Sequence, residues 1–375
     1  MSTTNTGERT PATEPDLLYS EEEEALRAAV RDLLGDHCAP ESVLARIESD
    51  TPHDLALWKL LADGMGLAGL LIPEDLGGQG ATHREVAVVL EELGRSVAPV
   101  PYLTSAVTAT EALLACADAE LLRGLASGRV VAALAVGLHR APGAAFPVAR
   151  LEEGSLHGEF TGIADAAVAD VLLVPADDGG LYAVNADAVH AGSVSVTPQI
   201  SLDLTRPLAT VTLAGAPGRR VGAAEPAVRR ALTAAAGLLA SEQLGVADWA
   251  LTETVRYLKE RRQFNRPVGG FQAVKHRLAQ LWLEVVNLRA ASRAAADALA
   301  TGVDTEVAVA VAQAYASPVA VHATEEAVQL HGGIGMTWEH PAHLSLKRAK
   351  ADSLAYGTAG AHRENLAALV DLQAP

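Results

Sequence analysis

The chain has 375 residues, with 29 Lys and Arg against 46 Asp and Glu, a formal net charge of −17. So acidic a surface repels phosphate backbones and argues against a nucleic-acid-binding role, except where basic residues gather locally. Hydrophobic residues make up 49% and aromatic ones only 4%, so Ala, Leu and Val supply the core, and a helix-rich globular enzyme of two or three sub-domains is expected.

Residues 1–16, rich in Thr, Pro and Glu, read as a disordered tail without the basic start and apolar run of an export signal. Cys38 and Cys116 are too few for a disulfide framework and lack metal-ligand spacing, which fits a reducing, cytoplasmic setting. Residues 17–128 form a first, α-helical unit. Ser20 and Glu23 have the spacing of a capping box, and Leu26, Val30, Leu33 and Leu34, then Val86, Val89, Leu90 and Leu93, show the three-and-four spacing of one-sided helices. Between them, Gly66 to Gly80 reads as a buried turn followed by a Gly-rich loop.

Residues 129–222 change texture. Short apolar runs such as Val130 to Leu134, Val171 to Val174 and Ala209 to Leu213, separated by Gly, Pro and Asp, predict a β domain, barrel or sandwich. Residues 223–375 return to long helical periods, roughly Pro226 to Lys259, Phe271 to Ala300, Thr305 to Leu330 and a broken last element ending near Val370, the pattern of an antiparallel four-helix bundle. The fold class is thus α+β, mainly α. The apolar stretch Val307 to Ala323 is interrupted by Gln313, Ser317 and Pro318 and is too short and weak to insert in a membrane.

The chain has no Gly-x-Gly-x-x-Gly after a strand, no Walker loop, no His-Glu-x-x-His and no Gly-x-Ser-x-Gly, which sets nicotinamide, nucleotide-hydrolase and zinc chemistry aside. Two segments stand out. From Arg256 to Arg277, seven basic residues (Arg256, Lys259, Arg261, Arg262, Arg266, Lys275, Arg277) face the single acid Glu260, across a tight turn that opens a helix. Planar guanidiniums and a helix N-terminus suit a diphosphate, though basic residues at a helix end also simply complement its dipole. Gln329 to Pro341 packs Gly332, Gly333 and Gly335 together, which lets backbone approach a flat or anionic ligand, or merely stops a helix.

Together with Gly66 to Gly80, Tyr257-x-x-x-Arg261-Arg262-Gln263-Phe264-x-x-Pro267-x-x-x-Phe271-Gln272, Gln329-x-x-Gly332-Gly333-x-Gly335 and Gly357-Thr358, these segments resemble the acyl-CoA dehydrogenase family of flavoproteins from about Leu17 onward. The resemblance implies helical, β and helical-bundle domains, FAD at a subunit interface, an oligomer such as a dimer of dimers, an acyl-CoA substrate and an electron-transfer acceptor. By position, Arg261 looks like the pyrophosphate arginine, and Gln263 and Phe264 like the flavin-cleft neighbours from the adjacent subunit. Gln272 looks like the amide near the adenine, Gln329, Gly332 and Gly333 like the loop over FAD from the other subunit, and Thr358 like the hydroxyl that touches the cofactor.

The resemblance fails at the chemistry. The family removes an α-proton with a carboxylate, and Tyr356 stands where that Glu is expected; the alternative Glu position falls on Ala235. The Thr-Glu-Pro run that contacts the flavin ring is replaced by Val136 to Gly143, an Arg-Asp pair by Lys347 and Arg348, and the CoA-contacting Arg by Ala236, with Arg229 and Arg230 out of register. Asp352, four residues before Tyr356 and on its face if the segment is helical, Glu339 and Glu242 are the stand-in acids, each of a type more often solvated or paired. Tyr356, with a reference pKa of about 10, is a poor base, and His331 and His340 read as loop or core hydrogen-bonders. Three readings follow: a dehydrogenase subunit served by a second, Glu-bearing chain, as in actinobacterial relatives acting on bulky acyl-CoA; a self-sufficient homo-oligomer with a relocated base or different, biosynthetic chemistry; and a non-catalytic structural paralogue.

Overall fold

The computed structural model describes residues 17–185 and 192–372; the predicted tail 1–16 lies outside the described residues. Helices come first: α1 (Glu21–His37), α2 (Pro40–Ile47), α3 (Leu55–Lys59), α4 (His83–Ser96), α5 (Thr110–Cys116) and α6 (Ala119–Ala126). The predicted capping box forms at α1, where the Glu23 N–H donates to Ser20 Oγ at 3.1 Å and the Ser20 N–H to Glu23 Oε2 at 2.7 Å. Thr82 and Glu85 repeat it at α4, satisfying otherwise orphaned N–H groups. In the Gly66 to Gly80 loop a Cβ on Gly78 would fall 2.0 Å from the Ile72 carbonyl oxygen, so only glycine closes that turn. A fully buried π-helical segment, Tyr102–Ala109, runs directly into α5.

Two four-stranded sheets follow. One has the order β1 (Ala132–Leu134), β4 (Val171–Pro175), β5 (Gly180–Asn185), β8 (Arg219–Ala223), with β1 parallel to β4 and the rest antiparallel. The other is antiparallel, in the order β2 (Arg150–Glu152), β3 (Ser155–Ala164), β7 (Leu208–Pro217), β6 (Val194–Gln199). Leu172 and Val174 face the second sheet, in one core with Phe160, Val211 and Leu213, whereas Val171 and Leu173 join the core of the helices. A strand covered on both sides reads as an unbroken apolar run, which is why Val171 to Val174 shows no alternation. β7, covered on one side, alternates buried and half-buried positions along most of its length.

The C-terminal helices are α7 (Ala224–Glu260), α8 (Gln272–Thr301), α9 (Thr305–His331), α10 (Ala342–Asp352) and α11 (Ala359–Leu369). Between α7 and α8 lies a tight hairpin of β9 (Arg262–Gln263) and β10 (Arg266–Pro267). The helix α9 continues through Pro318. The carbonyl of Ala314, four residues back, loses its helical donor to the proline and is bonded instead by Arg363 Nη2 of α11 at 3.2 Å. Thr305–Met336 is long and apolar enough to cross a membrane, but over half of its most apolar stretch is buried inside the protein.

α7 binds the two helical regions together through its crossing with α4. A Cβ on Gly94 would lie 2.1 Å from the Glu242 carbonyl oxygen, and one on Gly245 would lie 1.8 Å from that of Glu91. The backbones touch at that crossing, so no side chain fits between them. Gly245→Ala and Gly94→Ala are each expected to destabilise the chain by about 1–3 kcal/mol or more, seen as a lower midpoint in chemical denaturation, whereas Gly35→Ala, where a Cβ meets nothing within 4 Å, leaves the midpoint unchanged or raised.

Candidate functional site

The sequence-predicted residues fall into two groups. The first gathers at one end of the C-terminal helices. Arg261 ends α7; Gln263 and Phe264 sit on the hairpin; Gln272 opens α8; Gln329, Gly332 and Gly333 end α9. All of them are exposed. A stack of Tyr257, near the end of α7, on the buried His331 joins the α9 end to this corner, ring centroids 4.5 Å apart, and the His340 ring also lies 4.5 Å from His331. His331 is thus a core residue of this corner, its Nδ1 donating to the Ala327 carbonyl at 2.7 Å.

The basic island is smaller in three dimensions than in sequence. Arg256 is held by Glu253 and Glu260, and Arg277 by Glu326 at 2.5 Å, so acids from neighbouring turns and from α9 neutralise its two ends. Arg266 lies over the Phe271 ring at 3.8 Å. Arg261 and Arg262 keep no carboxylate partner among the described residues. Phe264 and Asn265 take the left-handed conformation, at φ 51° and 59°, to make the turn, and Phe264 is 87% exposed. The first turn of α8 has no side-chain cap, and Cβ atoms on Gly332 or Gly333 would meet nothing within 4 Å. Unpaired guanidiniums, free helix N–H groups and open glycine backbone form a surface suited to a nucleotide diphosphate.

The second group lies elsewhere, around the segment that follows α10. Here the sequence expectation needs correcting: α10 stops at Asp352, and Tyr356 lies beyond the turn at φ 51°, so the two do not share a helical face. Tyr356 is 3% exposed; its hydroxyl donates at 3.1 Å to Thr108, whose own proton goes to the Leu103 carbonyl at 2.8 Å. Burial pushes the Tyr356 phenol up to about 12, so it stays protonated at neutral pH. Thr358 caps α11, accepting from the Ala361 N–H at 3.2 Å, and remains exposed. A groove of about 270 Å³ runs between Leu138 and His139 of the loop after β1, Ile200 and Leu202 before β7, and Leu354 and Ala355.

The stand-in acids are accounted for. Asp352 and Glu242 belong to a buried ionic cluster that the sequence did not announce, because its centre is Arg206, an isolated basic residue in the connection from β6 to β7. Arg206 donates to both oxygens of Glu242 at 2.7 and 2.6 Å and to Asp352 Oδ1 at 2.7 Å. Arg348 donates to Asp203 at 2.6 Å, Glu242 at 2.5 Å and Thr205 at 2.6 Å. Burial opposes ionisation of Glu242 and Asp203, but the two arginines outweigh it and hold both below the ordinary carboxyl range. Asp352, buried, beside Glu242, and with Oδ2 unbonded, is pushed up to about 8. Glu339 is exposed and takes part in no ion pair among the described residues.

The acyl-CoA dehydrogenase N-terminal domain matches residues 20–129 and the C-terminal domain residues 226–370. The chain belongs to the acyl-CoA dehydrogenase family. It is 36% identical over 338 residues to acyl-CoA dehydrogenase IpdE2 of Mycolicibacterium smegmatis, covering 90% of this chain and 95% of that one. Among solved structures it resembles the Tcur3481-Tcur3483 steroid ACAD, with a TM-score of 0.81, 32% identity and coverage of 94% and 98%. It also resembles the ChsE4-ChsE5 complex of Mycobacterium tuberculosis, with a TM-score of 0.83, 30% identity and coverage of 96% and 100%. Members of the family are FAD-dependent oxidoreductases that act on CH–CH bonds, and the exposed Arg261 corner has the donor chemistry that FAD requires.

Asp352 carries a measurable signature. A carboxyl raised from an ordinary 3.8 to about 8 keeps its proton in the folded state where the unfolded chain has lost it, so its contribution makes stability fall as pH rises from about 4 to about 8. Asp352→Asn is expected to remove that part of the slope; denaturant melts of both proteins at pH 5, 6.5 and 8 should bring the variant closer to, or above, the parent as pH rises.

Proposed function

We propose that the chain is one subunit of an FAD-dependent dehydrogenase that introduces an α,β double bond into an acyl-CoA thioester, and that the catalytic carboxylate comes from a second, Glu-bearing family member in a cytoplasmic hetero-oligomer. The observation that carries this is the pairing of an intact, exposed Arg261 corner with a base position occupied by a protonated tyrosine. A phenol held at about 12 does not take an α-proton at neutral pH, and Asp352 and Glu242 are committed to Arg206 and Arg348. Two solved relatives above 30% or at 30% identity are named as paired chains, one of them a steroid ACAD, which favours a bulky, polycyclic acyl group as substrate.

Bound FAD would supply the hydride acceptor. This chain's part would be to bind and orient it: Arg261, with the α8 N-terminus, would hold the diphosphate; Gln263 and Phe264 would line the flavin cleft of the adjoining subunit; Gln272 would reach the adenine end; Gln329, Gly332 and Gly333 would close over the nucleotide; Thr358, apart from that corner, would offer its hydroxyl to a cofactor that the adjoining subunit's corner holds. Phe264, at 87% exposure, and Met336, at 77%, are aromatic and apolar groups that an adjoining subunit would cover. A separate electron-transfer acceptor would be needed to take the electrons that FAD carries in this chemistry.

Two measurements test the reading. Co-expressed with a Glu-bearing family member, the chain should yield a yellow complex whose flavin absorbance bleaches on adding a steroid-type acyl-CoA, while the chain alone does not bleach; bleaching by the chain alone sinks the proposal. Arg261→Ala in that complex should weaken FAD binding about 10- to 100-fold, the loss expected for charge-assisted hydrogen bonds of about 1.5–3 kcal/mol, measured by flavin fluorescence during dilution.

A further inference from the structure

Every bonding group of Tyr356 is pinned. Its N–H donates to the Leu138 carbonyl at 2.6 Å, its carbonyl accepts from His362 Nε2 at 3.0 Å, and its hydroxyl is bonded to Thr108. The backbone is left-handed at φ 51°, a conformation that disfavours bulky side chains and persists only where surrounding contacts over-determine it. The next residue, Gly357, has φ 103°, and a Cβ there would lie 2.8 Å from Ala141 Cβ. The segment is therefore wedged in one position.

What surrounds the ring is nearly solid. The hollow lined by Thr104, Thr108, Val136, Leu232 and Tyr356 measures about 20 Å³, enough for one water and no carbon chain. Three hydroxyls edge it, and behind Thr104 a buried chain continues: Thr104 donates to Asp165 Oδ2 at 2.6 Å, and His53 Nε2 donates to Asp165 Oδ1 at 2.9 Å. His53, Thr104 and Asp165 are all buried, and Asp165 is itself left-handed at φ 57°. A base at position 356 must lie within hydrogen-bond reach of the substrate's α-carbon proton, so this is where an acyl chain would have to enter.

We propose that the acyl site of this chain is closed, with Tyr356 as a built-in plug, and that the remaining hollow binds a single water joining Tyr356, Thr104 and Thr108 into one hydrogen-bonded core that reaches His53. The inference rests on Tyr356 occupying the family's base position. It adds to the proposed function that the acyl group of the substrate is housed by the partner chain, and that the N-terminal helices and the β domain are clamped together at the abandoned site through His53, Asp165 and Thr104.

Glycine accepts the backbone conformation at 356 without strain, so Tyr356→Gly in the co-expressed complex removes the ring and leaves a phenol-sized cavity. Its melting temperature should fall by several degrees. Phenol should restore most of the loss, and toluene, which lacks the hydroxyl for Thr108, clearly less; neither should change the parent. If Tyr356→Gly does not fold, Tyr356→Phe serves: it keeps the ring, should lower the melting temperature slightly, and should leave the hollow dry in a crystal structure where the parent shows one ordered water. A folded glycine variant that phenol does not stabilise, a dry hollow in the parent, or a crystal of the parent complex soaked in butyryl-CoA with Tyr356 swung aside and the acyl chain against Thr108, each overturns the plug. A complex that turns over while Tyr356 is displaced defeats the plug and leaves the partnership standing; one with Tyr356 in place and no turnover does the reverse.

Discussion

Two buried guanidiniums facing three carboxyls, where a loop of the β domain meets two helices of the bundle, are the constraint on which the rest of the chain is arranged. Arg206 and Asp203 come from the connection between β6 and β7, Glu242 from α7, and Arg348 and Asp352 from α10. Such clusters recover their desolvation cost only when geometry is good and every group is bonded, and removing one member leaves an uncompensated buried charge worth about 3–5 kcal/mol. The cluster therefore acts less as a source of stability than as a register mark: only one seating of the β domain against α7 and α10 satisfies both arginines. Asp352 is the last residue of α10, so fixing it fixes where the turn to Tyr356 begins.

That placement separates two kinds of surface. At the hairpin end, charge is left unspent: Arg261 and Arg262 are unpaired among the described residues although the chain as a whole is strongly acidic, and Phe264 projects into solvent. A protein maintains such a corner against the cost of exposed apolar area when something covers it. Around Tyr356 every polar atom is spent, on Leu138, His362 and Thr108, and the side chains leave almost no free volume. One region leaves cationic donors and apolar surface exposed; the other is built like a protein interior. The proposed division of labour within a hetero-oligomer rests on that contrast as well as on the missing glutamate.

Much of the fold was legible because its signals are local. The capping box at Ser20 needs only Ser20 and Glu23; the helix-strand-helix succession follows from a change in period; a break between α7 and α8 was expected from Asn265 to Gly270, although the hairpin that fills it turns at Phe264 and Asn265. The clustering of the Arg261 and Gln329 segments was legible too, though as a resemblance and not as a contact, since the Tyr257–His331 stack that joins them links residues far apart in sequence. Legibility failed where long-range partners decide a residue's role. Arg206 gave no sign of its importance, having no basic neighbour and no motif. The Arg277 end of the basic island looked free because Glu326 lies a helix away.

The sequence by itself determined the elements, their order, the presence of a phosphate-suited corner and the absence of a carboxylate at the expected position, all of which depend on residue identity and on spacings within one or two turns. Only the tertiary structure decided the fate of the remaining acids and of Tyr356. Asp352 and Glu242 are withdrawn from chemistry by Arg206, 146 and 36 residues away in the chain, and Tyr356 is fixed by Thr108, 248 residues away. The charge state of a buried group and the volume around a ring are properties of everything packed against them, and a linear order of residues does not contain them.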